Sequence, residues 1–119
     1  MANSSVYVQP VSSALLPVDI IKYAAITGVN NGIETTITSH TFTGNQTVGD
    51  IQVSGTEYAK YLIYINTAIG FIIRSGPDRQ ANLFLQRPLN FSTSDVLDIK
   101  VIHYYVGITA DFNVTILGV

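Results

Sequence analysis

Short β-favouring segments, separated by turn-forming residues, follow one another along almost the whole chain. Their apolar residues alternate with polar ones or form β-branched runs, and no segment has the apolar period of an amphipathic helix. Roughly eight strands at this close spacing, without crossover helices, are typical of a two-sheet sandwich. We therefore predict an all-β fold, an antiparallel β-sandwich of jelly-roll or immunoglobulin-like kind. The predicted strands are residues 18–28, 33–43, 47–54, 58–66, 69–74, 81–87, 96–105 and 111–117.

Glycine, asparagine, serine and proline mark the turns between these strands. Asn30-Asn31-Gly32 is the clearest turn, because Asn-Gly tolerates the positive φ angles of a tight two-residue connection. We expect it to close a hairpin between the first two strands.

The beginning of the chain differs from the rest. Pro10 and Pro17 each remove a backbone donor and fix φ, so this part suits an edge or a free extended segment. The sequence predicts an extended N-terminal arm over residues 1–17 and a single sandwich domain over 18–119. We expect the apolar side chains of the arm to be buried against a neighbouring subunit or a particle surface. They include Val6, Tyr7 and Val8.

Composition argues against several classes of protein. Lys and Arg number 6 against 8 Asp and Glu, which leaves no basic face for nucleic acid. The chain has no cysteine, and therefore no disulfide, thiol nucleophile or thiolate metal site. Residues 1–5 lack the regions of a signal peptide, and the apolar stretches 58–65 and 69–73 are too short to cross a bilayer. We expect synthesis in the cytoplasm and no membrane partner.

One predicted hairpin, residues 58–74, is apolar on both faces. Tyr61 and Ile63 alternate with Leu62 and Tyr64, so no orientation places only polar side chains in solvent. We expect the arm or another copy of the protein to cover the second face. The interface candidates in this region are Tyr61, Ile63, Tyr64, Phe71, Arg74 and Arg79.

Positive charge is concentrated around the turn that follows this hairpin. Arg74, Arg79 and Arg87 bracket the turn and the next strand, with Asp78 among them. Such a group is more often a hydrogen-bonded loop or a subunit contact than a grip on an anionic ligand.

Few residues are candidates for catalysis or metal binding. His103 shares a strand face with apolar residues such as Val101, where a histidine is usually a hydrogen-bonded residue at the rim of the core. His40 lies in a Ser/Thr run without metal-ligand spacing. Asp95 is interpreted as a turn residue, and Asp98 as the partner of Lys100 across one pleat.

The sequence therefore predicts no catalytic residue, no metal ligand and no cofactor. An enzyme would need His103, Asp98 or the arginines to converge in a pocket. Neither a nucleophile elbow nor a phosphate-binding loop occurs in the sequence.

Aromatic residues leave a second alternative open. The chain has 7 Tyr and 5 Phe, which at strand positions usually belong to a core or an interface. A carbohydrate-binding module would instead expose two or more tyrosines on one rim or one sheet face.

Turn and strand signatures follow one another in a characteristic order between Gly55 and Gly118. This segment resembles small β-sandwich proteins encoded among the virion genes of tailed bacteriophages. The resemblance covers a little over half of the chain, and residues 1–54 show no comparable match. Its signatures are Ala59-Lys60, Leu62-Ile63-Tyr64-Ile65-Asn66, Arg74-Ser75-Gly76-Pro77-Asp78-Arg79, Asn82–Gln86, Leu89, Ser94-Asp95-Val96-Leu97, Ile99-Lys100-Val101-Ile102-His103-Tyr104, Gly107 and Asp111-Phe112-Asn113-Val114-Thr115-Ile116-Leu117-Gly118.

The resemblance implies a structural role in a virion. Phage accessory proteins of this size are typically capsid decoration (cement) proteins, adaptors, or tail and fibre components. The expected function is that of a cement protein that stabilises the head by protein–protein contacts, with a tail, fibre or adaptor role as the alternative. The implied partners are other copies of the chain, favouring a homotrimer, and the major capsid protein or tail proteins.

Overall fold

The computed structural model describes residues 19–119, except for the side chains of Phe84 and Gln86. The predicted arm over residues 1–17, with its interface candidates Val6, Tyr7 and Val8, lies outside the described residues.

Eight strands account for most of the described chain. Each predicted strand has an observed counterpart, with ends that differ by up to four residues because alternation defines the middle of a strand better than its ends. The strands are β1 (Asp19–Val29), β2 (Thr35–Thr41), β3 (Gln46–Gly55), β4 (Ala59–Ile65), β5 (Ala68–Ser75), β6 (Ala81–Phe91), β7 (Val96–His103) and β8 (Ala110–Gly118).

The strands form two four-stranded antiparallel sheets packed face to face. The β1 sheet has the order β1-β8-β3-β6, and the β2 sheet has the order β2-β7-β4-β5. Successive strands alternate between the two sheets except for β4 and β5, and this strand order is that of an eight-stranded jelly roll. The structure thus confirms the predicted β-sandwich and is a jelly roll rather than an immunoglobulin-like sandwich.

The Asn30-Asn31-Gly32 turn does not close a hairpin, so that prediction is wrong. Gly32 has the expected positive φ of 75°, but the turn carries the chain from the β1 sheet to the β2 sheet. The Asn-Gly pair determines only the local backbone, whereas strand pairing depends on contacts made far along the sequence.

The one connection between sequence-adjacent paired strands in the described chain is Asn66-Thr67, which joins β4 to β5. Both residues have positive φ, 48° and 73°, as a two-residue hairpin turn requires. Threonine is unusual there, because a β-branched side chain disfavours positive φ.

The core consists of the alternate side chains that the two sheets turn toward each other. In β7 every second residue, from Leu97 to His103, is buried, and β8 does the same from Ala110 to Gly118. The predicted inward faces of these two strands are confirmed. The largest fully buried side chains are Tyr61, Phe42, Phe112, Ile51, Ile63, Leu97, Ile99, Ile116, His103, Val48, Val53 and Val101.

Tyr61 and Ile63 belong to this core, which corrects their assignment as interface residues. Both have 0% exposed side chains, and the Tyr61 ring meets the Phe112 ring edge-on at 5.8 Å between centroids. A residue buried between the sheets of its own chain offers no surface to a partner. The opposite face of β4 carries Leu62 and Tyr64.

The Tyr61 hydroxyl gives a test of this packing. It is buried, and no hydrogen-bond partner in the described chain reaches it; burial also raises the pKa of the phenol. Leaving a buried polar group unpaired costs roughly 1–3 kcal/mol. Tyr61→Phe should therefore raise the free energy of unfolding by about 1 kcal/mol in a denaturant titration.

The matched control is Tyr64→Phe on the same strand. The Tyr64 hydroxyl donates a 3.0 Å hydrogen bond to Glu34, so its removal should leave stability unchanged or lower it. If Tyr61→Phe instead destabilised the protein by about 1 kcal/mol or more, the hydroxyl would have a partner and this description of the core would be wrong.

Candidate functional site

His103 is the most buried titratable group suggested by the sequence, and its ring serves the fold. Its Nε2–H donates to the Val29 carbonyl oxygen at 2.7 Å, and the Tyr105 N–H donates to Nδ1 at 3.4 Å. The His103 carbonyl also accepts a 2.6 Å bond from Gly32 N–H. The predicted place at the rim of the core is confirmed. The residue ties β7 to β1, to the β1–β2 turn and to the β7–β8 loop.

His40 faces inward near the edges of the two sheets. Its ring meets Phe42 edge-on at 4.7 Å, and its buried Nε2 has no partner in the described chain. Burial, and secondly the positive charge of Lys22 on β1, lower the pKa of this imidazole.

The aspartates lie apart, and each has a structural partner or neighbour. Asp95 is confirmed as a turn residue, since its carboxylate accepts bonds from the Ser92 N–H at 2.8 Å and the Asn66 side-chain amide at 3.1 Å. These bonds, the Ser92 backbone bond first, lower the pKa of Asp95. They fasten the β4–β5 turn to the β6–β7 turn.

The predicted pairing of Asp98 with Lys100 is wrong. Lys100 forms its ion pair with Glu34 at 3.8 Å and lies 4.6 Å from the centre of the Tyr64 ring. Asp98 lies opposite Tyr64 and Ser39 in the strand register. Glu34, just before β2, was overlooked because its closeness to β7 arises only from sheet pairing.

Within residues 19–119, no three potential metal-binding side chains of His, Asp or Glu come together. The same part of the chain contains no helix that could cross a membrane. The remaining candidates for a functional site are two surfaces of the described part of the chain.

The first surface is the edge of the β2 sheet formed by β5, which we call the β5 edge. β5 has no partner on its outer side within the described chain, and Ile69 and Ile72 are 52% and 46% exposed. Arg74 is exposed on the same strand, directly opposite Lys60 on β4. Two like charges opposite each other are unfavourable unless a counter-charge lies nearby.

The sequence-predicted interface residues are only partly brought together at this edge. Phe71 and Arg74 lie on β5, and half-buried Tyr64 lies on the neighbouring β4. Arg79 is exposed at the end of the sandwich, in the connection from β5 to β6. Sequence reasoning missed Ile72, whose outward position is evident only from the pairing of β5 with β4.

The second surface is the end of the sandwich formed by connections 30–34, 56–58, 76–80 and 104–109, which we call the loop end. It exposes Tyr58 and Tyr104, each at 64%, and Tyr105 at 54%. The sequence predicts Tyr104 and Tyr105 inside a strand, because aromatic residues favour strands, but β7 ends at His103 and both residues lie in the connection to β8. Gly107, with a φ of 77°, is the sequence signal that a turn lies there.

A depression of about 410 Å³ opens beside the loop end, where β1, β3 and β8 approach it. Hydrogen bonds hold its walls, for Asp111 accepts from Gly28 N–H at 3.0 Å and donates its own N–H to Thr56 at 3.0 Å. The polar side chains around it are Ser54, Thr56, Asp78, Gln80, Asp111 and Asn113.

The comparisons add no family to this description. No protein-family model matches the sequence, and no curated protein matches it at a significant level.

His40 yields a prediction for the pH dependence of stability. Because the folded pKa is lowered below 6.5, the folded state favours the neutral ring, and the unfolded state takes up the proton first as the pH falls. The free energy of unfolding should therefore decrease as the pH falls from about 7 to about 5. His40→Gln should flatten this decrease in urea titrations at several pH values.

Asp95→Asn is the matched control for the same titration. The lowered pKa of Asp95 stabilises the fold above its unfolded pKa near 3.8, and this stabilisation is lost as the pH falls through the folded pKa. Asp95→Asn should therefore lower stability by a constant amount between about pH 7 and 5 and change the slope only at more acidic pH. An unchanged slope between pH 7 and 5 in His40→Gln would contradict the assignment.

Proposed function

We propose that this chain is a non-enzymatic structural protein of a bacteriophage virion, specifically a capsid decoration protein that stabilises the head through protein–protein contacts. It is made in the host cytoplasm and acts in the virion. The resemblance of residues 55–118 to phage virion proteins supports the virion setting. A tail, fibre or adaptor component would use the same kind of contacts and is the alternative location.

The hydrogen bonds of His103 and Asp95 support a structural role. Both ring nitrogens of His103 are engaged with backbone groups, and Asp95 fastens two turns to each other. Neither is free to move a proton to or from a substrate.

The β5 edge is the observation that carries the proposal. Phe71–Ser75 pairs with β4 in regular register, and no strand within residues 19–119 pairs with its outer side. Exposed regular apolar edges invite pairing with another chain, and proteins usually interrupt them. Of the other three edges, those of β1 and β2 are interrupted by register shifts and that of β6 by Pro88, whereas the register shift of β5, between Ile69 and Phe71, lies outside this regular stretch.

We infer that the β5 edge contacts a second copy of the chain, and that the assembly is a homotrimer. Ile72 contributes apolar area at the contact, and Arg74 with Lys60 would find acidic or carbonyl groups on the neighbour. Obligate interfaces are more apolar than the rest of a protein surface, which fits an edge with few charges.

Ile72→Lys tests this assignment. A third cation beside Lys60 and Arg74 should prevent the contact, so light scattering should change from three times the 12.9 kDa chain mass to a monomer. Thr36→Lys, at an exposed position on the opposite edge strand β2, is the control and should remain trimeric. Circular dichroism checks that both variants stay folded.

Two results would contradict the proposal. A wild-type protein that stays monomeric over a wide concentration range without a partner would remove the assembly. Electron microscopy of particles produced with and without this chain tests the virion role separately: we expect added density on the head, and unchanged particles would overturn that role.

A further inference from the structure

We propose that the loop end is a binding site for a neutral carbohydrate, with Tyr58 and Tyr104 as a stacking platform and the adjacent polar depression as its hydrogen-bonding part. This inference is independent of the assembly of the protein through the β5 edge.

The two tyrosines stand side by side because of the strand register. Ala59 on β4 lies opposite His103 on β7; Tyr58 immediately precedes β4, and Tyr104 immediately follows β7. Neighbouring strands are about 4.8 Å apart, so the backbones of Tyr58 and Tyr104 lie close together at the same rim. Each ring leaves 64% of its surface open to solvent.

The connection between β5 and β6 supports one side of this platform. A Cβ atom at Gly76 would lie 4.0 Å from Tyr58 Cδ2 and 3.6 Å from Arg79 Cδ. The Tyr58 ring therefore rests close to the backbone at Gly76, with the stem of Arg79 nearby. The ring has this connection as a neighbour on one side and stays mostly open to solvent.

The polar depression lies on the β1-sheet side of the loop end, and the connections 56–58 and 76–80 run between it and the platform. Thr56 lines the depression two residues before Tyr58, and Asp78 and Gln80 line it just after Gly76. The Asp78 N–H donates to the Gly55 carbonyl at 2.7 Å, and the Thr56 N–H donates to the Asp111 carbonyl at 2.9 Å. The backbone of the depression is thus fixed before any ligand arrives.

The chemistry of this surface matches a sugar ring. A pyranose has an apolar face that packs on an aromatic ring and hydroxyl groups that both donate and accept hydrogen bonds. Asp78 and Asp111 accept such bonds, the Gln80 and Asn113 side chains can do both, and the volume of about 410 Å³ suits a small ligand. The two carboxylates disfavour phosphate-bearing ligands such as nucleic acid.

The test is a glycan array of bacterial and animal oligosaccharides probed with the full chain, followed by calorimetric titration of the best-bound oligosaccharide. Tyr58→Ala and Tyr104→Ala should each weaken binding roughly tenfold or more, since about 1.4 kcal/mol of lost contact corresponds to tenfold in affinity. Asp78→Asn, which keeps the shape of the side chain, should weaken it less.

Tyr23→Ala is the matched control. Tyr23 is 58% exposed, close to the value for Tyr58, but lies within β1 opposite Thr115 and away from the loop end. Its loss should leave affinity unchanged, and circular dichroism should show all variants folded.

Three outcomes would overturn the proposal. The first is an array on which the wild-type chain binds no oligosaccharide. The second is binding that stays unchanged in both Tyr58→Ala and Tyr104→Ala. The third is a loss of affinity in Tyr23→Ala as large as that in the two platform variants. If no oligosaccharide on the array is bound but Tyr58→Ala abolishes attachment to virus particles, the loop end is a protein contact instead.

Discussion

The burial of alternate side chains of β7 and β8 between the two sheets is the constraint on which the rest of the molecule depends. These strands follow each other in the chain but lie in the middle of opposite sheets, so each supplies a full row of inward residues. Burying one aliphatic or aromatic side chain of this size contributes roughly 1.5–3 kcal/mol. Within the β1 sheet, two glycines permit close packing of β3 and β8: the Phe112 ring occupies the space of a Cβ at Gly55, and the Thr47 carbonyl occupies that of a Cβ at Gly118.

Around this core, the two ends of the sandwich and its edges differ in how they are held together and in what they expose. One end is fastened by the hydrogen bonds of Asn66 and Asp95. The loop end is held by His103 but directs its tyrosines outward. Because inward positions are occupied by the core, contacts with other molecules must use outward positions. The β5 edge and the loop end are two places in the described chain where large apolar side chains are exposed.

The sequence predicted the strands well because alternation of apolar and polar residues is a local property. It misplaced Tyr61 and Ile63, since a strand that is apolar on both faces does not reveal which face turns inward. It misread the Asn30–Gly32 turn and the partner of Lys100 for a related reason: which sheet a strand joins, and which strand lies beside it, depends on residues distant in sequence.

The surfaces were harder to predict than the core. The sequence pointed to the hairpin 58–74 and to Arg74, but Ile72 and the neighbouring positions of Tyr58 and Tyr104 follow from strand pairing. The composition indicates only that two tyrosines could share one rim; it does not identify which tyrosines they are.

Hydrogen exchange at the β5 backbone tests most directly whether function resides at the β5 edge. The outward amides of β5 should exchange quickly in dilute protein and become protected as the concentration rises, while amides of the β1 edge stay unchanged. The same fast exchange at β5 in dilute and concentrated protein would contradict the account, because it would mean that this edge remains uncovered in the assembly.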